Sequence, residues 1–258
     1  MFKALTIFAV IAPFISFAAH ATDAGPAKSA LTVGGGIAVV PEYAGAQRMR
    51  VRPLIDVDYT SGTGFFSGSR GVGYRSSAGA VNLSVALTYD PGRRDHKSDA
   101  SLGSDDLKGM GNIKGAAVAV IGTSFDAGFA SFSVDAHLAV TDRQRGNTYV
   151  VGVSRPLSVS ADNQFGLAVT ATYADAKSVQ AYFGVTARQA AASGYRTYNP
   201  AAGLQDAGIA LSWNHVIDAR WSVRTIAGAS RLLGDAGDSP IVRRRSQGLL
   251  ATTLNYAF

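Results

Sequence analysis

The chain has 258 residues, a formal net charge of +6 and 29 glycines, and it contains no cysteine. The missing cysteine excludes thiolate metal sites and cysteine nucleophiles, and it is compatible with passage through an oxidising periplasm. The charged residues form no basic stripe of the kind that nucleic-acid-binding proteins carry, so we expect no nucleic-acid partner.

The N-terminus is predicted to be a cleaved secretory signal peptide. Lys3 gives a short basic start, residues 4–19 are apolar and uncharged, and Ala19-His20-Ala21 supplies an A-x-A cleavage pattern. The apolar run is too short for a spanning helix, and no stop-transfer charges follow it. We therefore expect the chain to be exported.

Cleavage after Ala21 divides the chain into three parts. We expect residues 1–21 to be the signal peptide, residues 22–30 to be a short periplasmic segment and residues 31–258 to form one large domain. A single β domain of about 200–250 residues is common.

Alternation of apolar and polar residues with a period of two recurs along this domain. Between residues 49 and 60 one face is apolar, and the opposite face carries Arg50, Arg52, Asp56 and Asp58. Comparable runs occupy residues 81–90, 131–141, 165–174, 208–214 and 249–258. A length of about ten residues suits a tilted membrane strand better than a globular strand.

Two features of these runs favour a transmembrane barrel over a soluble sandwich. The faces opposite the large apolar residues consist mainly of Gly, Ala, Ser and Thr, which would make a poor core but a suitable lumen. Many runs begin or end with an aromatic residue, as girdles at the two membrane surfaces require. We therefore predict an all-β fold, a closed antiparallel transmembrane β-barrel in the outer membrane of a Gram-negative bacterium.

The number of strands is predicted to be even, either ten or twelve. Short and long connections alternate, as barrels with short periplasmic turns and long outer loops require. Counting back from a periplasmic C-terminus gives eight strands after residue 80, and residues 31–40 and 49–60 add a hairpin. Residues 65–75 form an extra run, which either does not span or is matched by a strand within residues 175–202.

The end of the chain and a series of short motifs resemble known outer-membrane proteins. Phe258, two residues after Tyr256, is similar to the C-terminal recognition signal of bacterial outer-membrane barrels. The motifs are, in chain order, Pro41-x-Tyr43-x-Gly45, Arg52-Pro53, Gly71-x-Gly73-Tyr74, Gly92-Arg93, Leu107-Lys108-Gly109-Met110-Gly111-Asn112-Ile113, Tyr182-Phe183-Gly184-Val185-Thr186, Ser193-Gly194-Tyr195 with Tyr198, and Ser239-Pro240-Ile241-Val242. This ordered series resembles the MltA-interacting protein family (MipA/OmpV) over essentially the whole exported chain.

The resemblance implies an outer-membrane barrel that is not an enzyme and that uses no cofactor. The named member of the family is a scaffold that links a lytic transglycosylase to a peptidoglycan synthase. Other members are described as adhesin-like or porin-like. A scaffold and a small channel or surface-binding protein therefore remain as two function classes, and the short periplasmic turns count against the scaffold.

The charged face of residues 49–60 has two interpretations. Arg50, Arg52, Asp56 and Asp58 are predicted to point into the lumen. They either form a structural network that helps to plug a narrow barrel, or they line a constriction that selects solutes by charge.

The long loops also have two interpretations. The family-like residues there are Leu107, Lys108, Gly109, Tyr182, Phe183, Gly184, Ser193, Gly194, Ser239 and Pro240. They either form an interaction surface, since loops commonly carry binding sites, or they fold inward and brace the barrel mouth. The basic run 243–245, with Arg93, Arg94 and Lys97, either contacts lipopolysaccharide phosphates or is simply solvated.

No catalytic or metal site is predicted. His137 shares a face with Asp135, an arrangement that suits a general base but is more typical of a hydrogen-bonded pair inside the lumen. The chain has neither an H-x-x-x-H nor a G-x-S-x-G motif.

Overall fold

The computed structural model describes residues 29–97, 102–158 and 160–258. The expected signal peptide and its cleavage site, as well as nearly all of the expected periplasmic segment, lie outside these residues. No helix in the described ranges is both long and apolar enough to cross a membrane.

Twelve antiparallel strands in the described part of the chain close into a barrel. The strands of the chain are β1 (Ala30–Pro41), β2 (Met49–Thr60), β3 (Phe65–Gly68), β4 (Gly71–Ala78), β5 (Val81–Asp90), β6 (Arg93–Arg94), β7 (Leu102–Gly103), β8 (Ala116–Asp126), β9 (Ser131–Ala139), β10 (Thr148–Ser158), β11 (Asn163–Ala174), β12 (Gly203–Val216), β13 (Trp221–Leu232) and β14 (Ser246–Ala257). Each barrel strand pairs with its neighbour, and β1 closes the barrel against β14. The two-residue strands β6 and β7 pair in parallel outside the barrel sheet.

The outer face of the barrel is apolar and the inner face is polar. Ile37, Val51 and Leu83 are more than half exposed on the outer face, whereas Arg52 and Asp135 are buried on the inner face. This is the arrangement of a barrel in lipid, because side chains alternate between the two sides of every strand. The predicted fold class is confirmed.

A close approach of two backbones at the seam depends on glycine. An ideal Cβ on Gly36 of β1 would lie 1.9 Å from the carbonyl oxygen of Thr252 on β14. Only a residue without a side chain permits this spacing, so the sequence of β1 is adapted to the seam.

The two ends of the barrel differ. The connections after β2, β4, β8, β10 and β12 are short and define the short-turn end, whereas those after β1, β5, β9, β11 and β13 include the long segments and define the long-loop end. Aromatic pairs cluster towards the short-turn end: Tyr59–Phe65, Phe65–Tyr74, Phe129–Phe132, Phe165–Trp213, Trp221–Tyr256 and Tyr256–Phe258. Towards the long-loop end Tyr149 contacts Tyr173 at 6.3 Å. The rings thus lie towards both ends of the barrel wall, where barrels place aromatic girdles at the membrane surfaces.

The extra run at residues 65–75 is explained by a hairpin. It comprises the four-residue strand β3 and the first part of β4. The turn between them ends at Gly71, which has a φ of 101° and where a Cβ would lie 2.3 Å from the carbonyl oxygen of Leu87. The hairpin brings the strand number to twelve.

A strand within residues 175–202 was the other interpretation, and it is wrong. This fully described segment contains helices α1 (Ala176–Phe183) and α2 (Ala187–Ser193). The Asp175 side chain accepts a hydrogen bond from the Ser178 backbone, and Thr186 forms a capping box with Gln189. Such caps satisfy free N–H groups at a helix start and favour helix over strand. A third helix, α3 (Gly234–Asp238), follows β13.

The orientation of the barrel is testable with cysteines, because the natural chain has none. Lys108 and Arg188 are exposed at the long-loop end, and Asp162 and Ala219 are exposed at the short-turn end. We expect Lys108→Cys and Arg188→Cys to react with a membrane-impermeant thiol reagent on intact cells. Asp162→Cys and Ala219→Cys should react only after the outer membrane is permeabilised. Unaltered protein serves as the unlabelled control, and the opposite pattern would invert the orientation.

Candidate functional site: the charged lumen and the loop cap

The four predicted lumen charges share the inner face of β2. Arg52 is buried, and Arg50, Asp56 and Asp58 are partly buried. A strand rises about 3.3 Å per residue, so Arg52 and Asp56 are separated by roughly 13 Å along the strand. The arginines and the aspartates therefore lie at different depths in the barrel.

The two aspartates are held by an arginine that the sequence analysis missed. A guanidinium nitrogen of Arg224, on β13, lies 4.0 Å from a carboxylate oxygen of Asp56 and 4.0 Å from one of Asp58. Between β13 and β2 lie β14 and β1. The alternation in β13 places Arg224 on the inner face, but a single sequence gives no sign of which strand it contacts.

A second ion pair joins the β3–β4 turn to β9. Arg70 donates to a carboxylate oxygen of Asp135. Gly122 on β8 makes room for this pair, because a Cβ there would lie 2.3 Å from the Asp135 oxygen and 2.6 Å from the guanidinium. Asp135 therefore contacts Arg70, whereas the sequence paired it with His137.

The long loops pack on one another at the long-loop end, where they form a cap over the barrel mouth. One apolar cluster contains Tyr43, Ala46, Leu107, Met110, Val185 and Ile241, and residues Ala190, Tyr195 and Tyr198 pack against it. A second cluster contains Ala174, Val179, Phe183, Leu232 and Ala236, with Tyr182 and Val242 beside it. The cap thus has a hydrophobic interior of its own, drawn from the connections after β1, β5, β11 and β13 and from the last residues of β11 and β13.

Most of the family-like loop residues are structural parts of the cap. Leu107 and Phe183 are almost fully buried. The buried Ser239 hydroxyl donates to the carbonyl oxygen of Phe183, and the adjacent Pro240 is partly buried. Gly184 is buried at the end of α1, where a Cβ would lie 2.0 Å from the Gln180 side chain.

The remaining loop residues include two glycines in turns and one exposed cation. Gly109 has a φ of 87°, and an ideal Cβ on it would lie 2.5 Å from the carbonyl oxygen of Ala192. Gly194 ends α2 in the left-handed conformation, and the Ser193 hydroxyl donates to the carbonyl of Gln189. Lys108 is exposed. The inward-folding interpretation accounts for the buried residues and leaves Lys108 at the surface.

A buried polar cluster connects the cap to the barrel. Arg145 is 5% exposed and donates to the carboxylate of Asp90, to the hydroxyl of Tyr182 and to the carbonyl of Lys114. Tyr182 in turn donates to Asp90 at 2.8 Å. Burial raises the pKa of the Tyr182 hydroxyl, so it stays neutral and can make both contacts.

Two further buried charged groups, Arg93 and Glu42, lie in the connections at the long-loop end. Arg93 is 5% exposed and donates to the carbonyl of Tyr182 at 2.5 Å, and burial lowers its pKa to about 10. Glu42 accepts a hydrogen bond from the buried hydroxyl of Ser104. Since buried charges are expensive unless they are paired or hydrogen-bonded, these contacts fix the positions of the loops that carry them.

The chemistry available in this arrangement is electrostatic and structural. Within the described ranges, no three His, Asp or Glu side chains are placed to hold a metal ion. The ion pairs cross part of the lumen, and the cap covers the mouth. The residues that carry these contacts and that sequence reasoning missed are Arg70, Asp90, Arg145 and Arg224.

The chain is similar to one protein family and to several solved structures. A protein-family profile described as MltA-interacting protein MipA matches residues 33–258. Among solved structures, a NanC porin is similar at 10% sequence identity and a TM-score of 0.48, over 88% of this chain and 98% of the porin. An outer-membrane channel from Pseudomonas putida F1 is similar at 8% identity and a TM-score of 0.45, over 93% of this chain and 98% of the channel. No curated protein matches the chain. Both TM-scores are below 0.5, so these two similarities carry no further inference.

The buried polar cluster is testable with a pair of neighbouring arginines. Arg145→Ala removes the guanidinium contact of Asp90, which keeps its hydrogen bonds from Tyr182 and the Gly92 backbone, and it also removes the donor to the Lys114 carbonyl. We therefore expect a loss of about 1–3 kcal/mol in the stability of the cap. Arg143→Ala is the matched control, since Arg143 is exposed two residues earlier, and it should change stability by less than about 0.5 kcal/mol. Limited proteolysis of residues 175–202 in detergent micelles measures the effect. Equal protease sensitivity in the two variants would contradict the role of Arg145.

The cap should also weaken in alkali because of Tyr43. Its hydroxyl donates to the Ile241 carbonyl at 2.8 Å, and burial raises its pKa above the ordinary value of 10.0. The unfolded cap therefore releases this proton at a lower pH than the folded cap does. The stabilisation is complete below pH 10 and is lost as the pH rises from there towards the pKa of the folded state.

Proteolysis of the cap as a function of pH checks this dependence. Tyr43→Phe should cost about 1 kcal/mol at neutral pH through the lost hydrogen bond and should flatten the alkaline decline. Tyr74→Phe, at an exposed site on the barrel wall, is the control and should leave the decline unchanged. The same steep decline in Tyr43→Phe would refute the assignment.

Proposed function

The chain belongs to the MltA-interacting protein MipA family, and on this premise we propose that it acts without catalysis as an outer-membrane scaffold for cell-wall enzymes. The partners would be a lytic transglycosylase and a peptidoglycan synthase, which the scaffold would hold beside each other at the inner surface of the outer membrane. The family match over residues 33–258 carries this proposal, because the family is named for its interaction with MltA.

The packing of the long loops supports a scaffold more than a channel. Loops that line an open pore need a hydrated surface, whereas these loops bury Leu107, Phe183 and Ile241 almost completely. Inside the barrel, Arg224 and Arg70 hold carboxylates of other strands. A narrow lumen crossed by such pairs favours a closed barrel. A closed barrel is sufficient for a protein that anchors its partners at the outer membrane.

The short-turn end offers the surface that periplasmic partners can reach. Its turns are short, so a partner would contact a flat rim rather than a deep cleft. Asp162, Asp218 and Arg220 are exposed there, and Phe129 is 65% exposed at the same end. The expected periplasmic segment, residues 22–30, would add to this rim.

A small channel is the second candidate, and one observation favours it. The inner face of β2 carries Arg50, Arg52, Asp56 and Asp58, and rings of charged side chains select ions in many pores. An adhesin-type protein is a further alternative, supported by the exposed arginines at 243–245 on the cap.

Site-specific crosslinking tests the scaffold. A photo-reactive amino acid is placed in living cells at Thr63 or Ala219 on the short-turn rim, and at Lys108 or Arg188 on the cap as matched controls; all four side chains are exposed. We expect the rim positions to crosslink a lytic transglycosylase, identified by mass spectrometry, and the cap positions not to do so. Crosslinks to this enzyme from the cap alone, or from none of the four positions, would overturn the proposal.

Recordings in planar bilayers separate the closed barrel from the channel. We expect purified protein to stay electrically silent, and Arg224→Ala to stay silent while losing roughly 1 kcal/mol of stability, since its ion pairs are long and one-third exposed. Arg224→Lys is the control and should retain most of the stability. Steady ion-selective steps from the natural protein, shifted in selectivity by Arg224→Ala, would favour the channel instead.

A further inference from the structure

A groove opens at the rim of the barrel, on its long-loop end. It has a volume of 510 Å³ and lies between the end of β9 and the start of α1. Leu138, Ala139 and Ala176 provide its apolar lining, and Arg143 and Lys177 provide two cations. The groove therefore combines an apolar floor with a doubly positive edge.

The girdle tyrosines place this groove at the membrane surface. Tyr149 and Tyr173 contact each other on the outer wall, and they pair directly across β10 and β11. Asn147 and Asp175, which line the groove, are each two residues further towards the long-loop end. Two residues of strand span about 7 Å, and girdle aromatics sit at the level of the lipid head groups. The groove is thus at or just above the head groups of the outer leaflet.

The two cations are available for a ligand. Across residues 29–97, 102–158 and 160–258, the exposed side chains of Arg143 and Lys177 make no hydrogen bond or ion pair with another described group. Arg145, two residues after Arg143, is instead buried and tied to Asp90. Other cap arginines are also engaged: Arg48 pairs with Asp106, and Arg245 pairs with Asp238.

The carboxylate in the groove does not neutralise these cations. Asp175 accepts hydrogen bonds from the backbone N–H groups of Asn147 and Ser178, both at 2.8 Å. The Asp175 carboxylate therefore interacts with the N-terminus of α1, which it caps. The contacts also join the β9–β10 loop to α1, so the two cations are held on opposite sides of a fixed groove.

We propose that this groove binds the phosphorylated lipid A part of lipopolysaccharide. A lipid A phosphate accepts charge-assisted hydrogen bonds from Arg143 and Lys177, and the adjoining acyl chain or sugar lies on Leu138 and Ala139. Charge and position both favour this ligand, because it presents a dianionic group next to apolar surface at the level of the outer leaflet. This site is separate from the rim at the short-turn end and does not depend on the scaffold.

Binding of purified lipid A to the full barrel in detergent micelles tests the proposal. The test variant is Arg143→Ala with Lys177→Ala, and the control is Lys108→Ala with Arg188→Ala, which removes the same charge from exposed positions outside the groove. Native mass spectrometry measures the occupancy. We expect the test variant to bind lipid A about tenfold more weakly for each cation removed, since a charge-assisted hydrogen bond corresponds to about that factor. The control should bind like the natural protein.

Two results would overturn the proposal. One is equal affinity of the natural protein for lipid A and for lipid A from which the phosphates have been removed, because the cations would then play no part. The other is an equal loss of affinity in the test and control variants, which would indicate a general effect of net charge. The heat-modifiable migration of each variant on unboiled gels shows that the barrel is folded, and Arg143→Gln with Lys177→Gln repeats the test with side chains that keep most of their length.

Discussion

Closure of the β-barrel determines how the strands, the lumen charges and the loops are arranged. In the hydrocarbon layer no water is present to bond free N–H and C=O groups, so a sheet that spans it must close into a barrel. The pairing of β1 with β14 joins the first strand to the last and closes the ring. Gly36 is part of this seam, because its backbone approaches that of Thr252 more closely than a side chain would allow. Once the ring is closed, each strand has one face in lipid and one in the lumen.

The charged contacts follow from this division into two faces. A charge on the inner face of a narrow barrel can meet partners from strands that are not its neighbours in the ring. Arg224 does so with Asp56 and Asp58, and Arg70 does so with Asp135. A similar contact occurs at the mouth of the barrel, where Arg145 of the β9–β10 loop pairs with Asp90 at the end of β5. Interior charge and loop packing therefore act together to close one end of the barrel. The other end is left as a rim of short turns, and the groove with Arg143 and Lys177 remains open on the outside.

Several features of the fold were predictable because they depend on local patterns. The period-two alternation in residues 49–60 predicts both the strand β2 and the inward direction of Arg50, Arg52, Asp56 and Asp58. The structure of residues 65–75 was harder to predict, because a short hairpin and one spanning strand produce the same apolar run. The turn at Gly71 identifies the hairpin only when the position of the neighbouring strand β5 is also known. Residues 175–202 had two helix caps, at Asp175 and Thr186, that mark helices.

The class of fold, the direction of each strand face and the family of the chain follow from the amino-acid sequence alone, because alternation, aromatic ends and ordered motifs are properties of neighbouring residues. Which charges meet and which loops are buried depends instead on how the strands and loops are arranged in space. Arg224 and Asp56 are far apart in the chain, and so are Tyr43 and Ile241, whose hydrogen bond helps to close the cap. Such contacts depend on the curvature of a closed ring and on the way that five separate connections share one space above it. No local pattern encodes these contacts, because the same alternation of side chains is compatible with other contact partners.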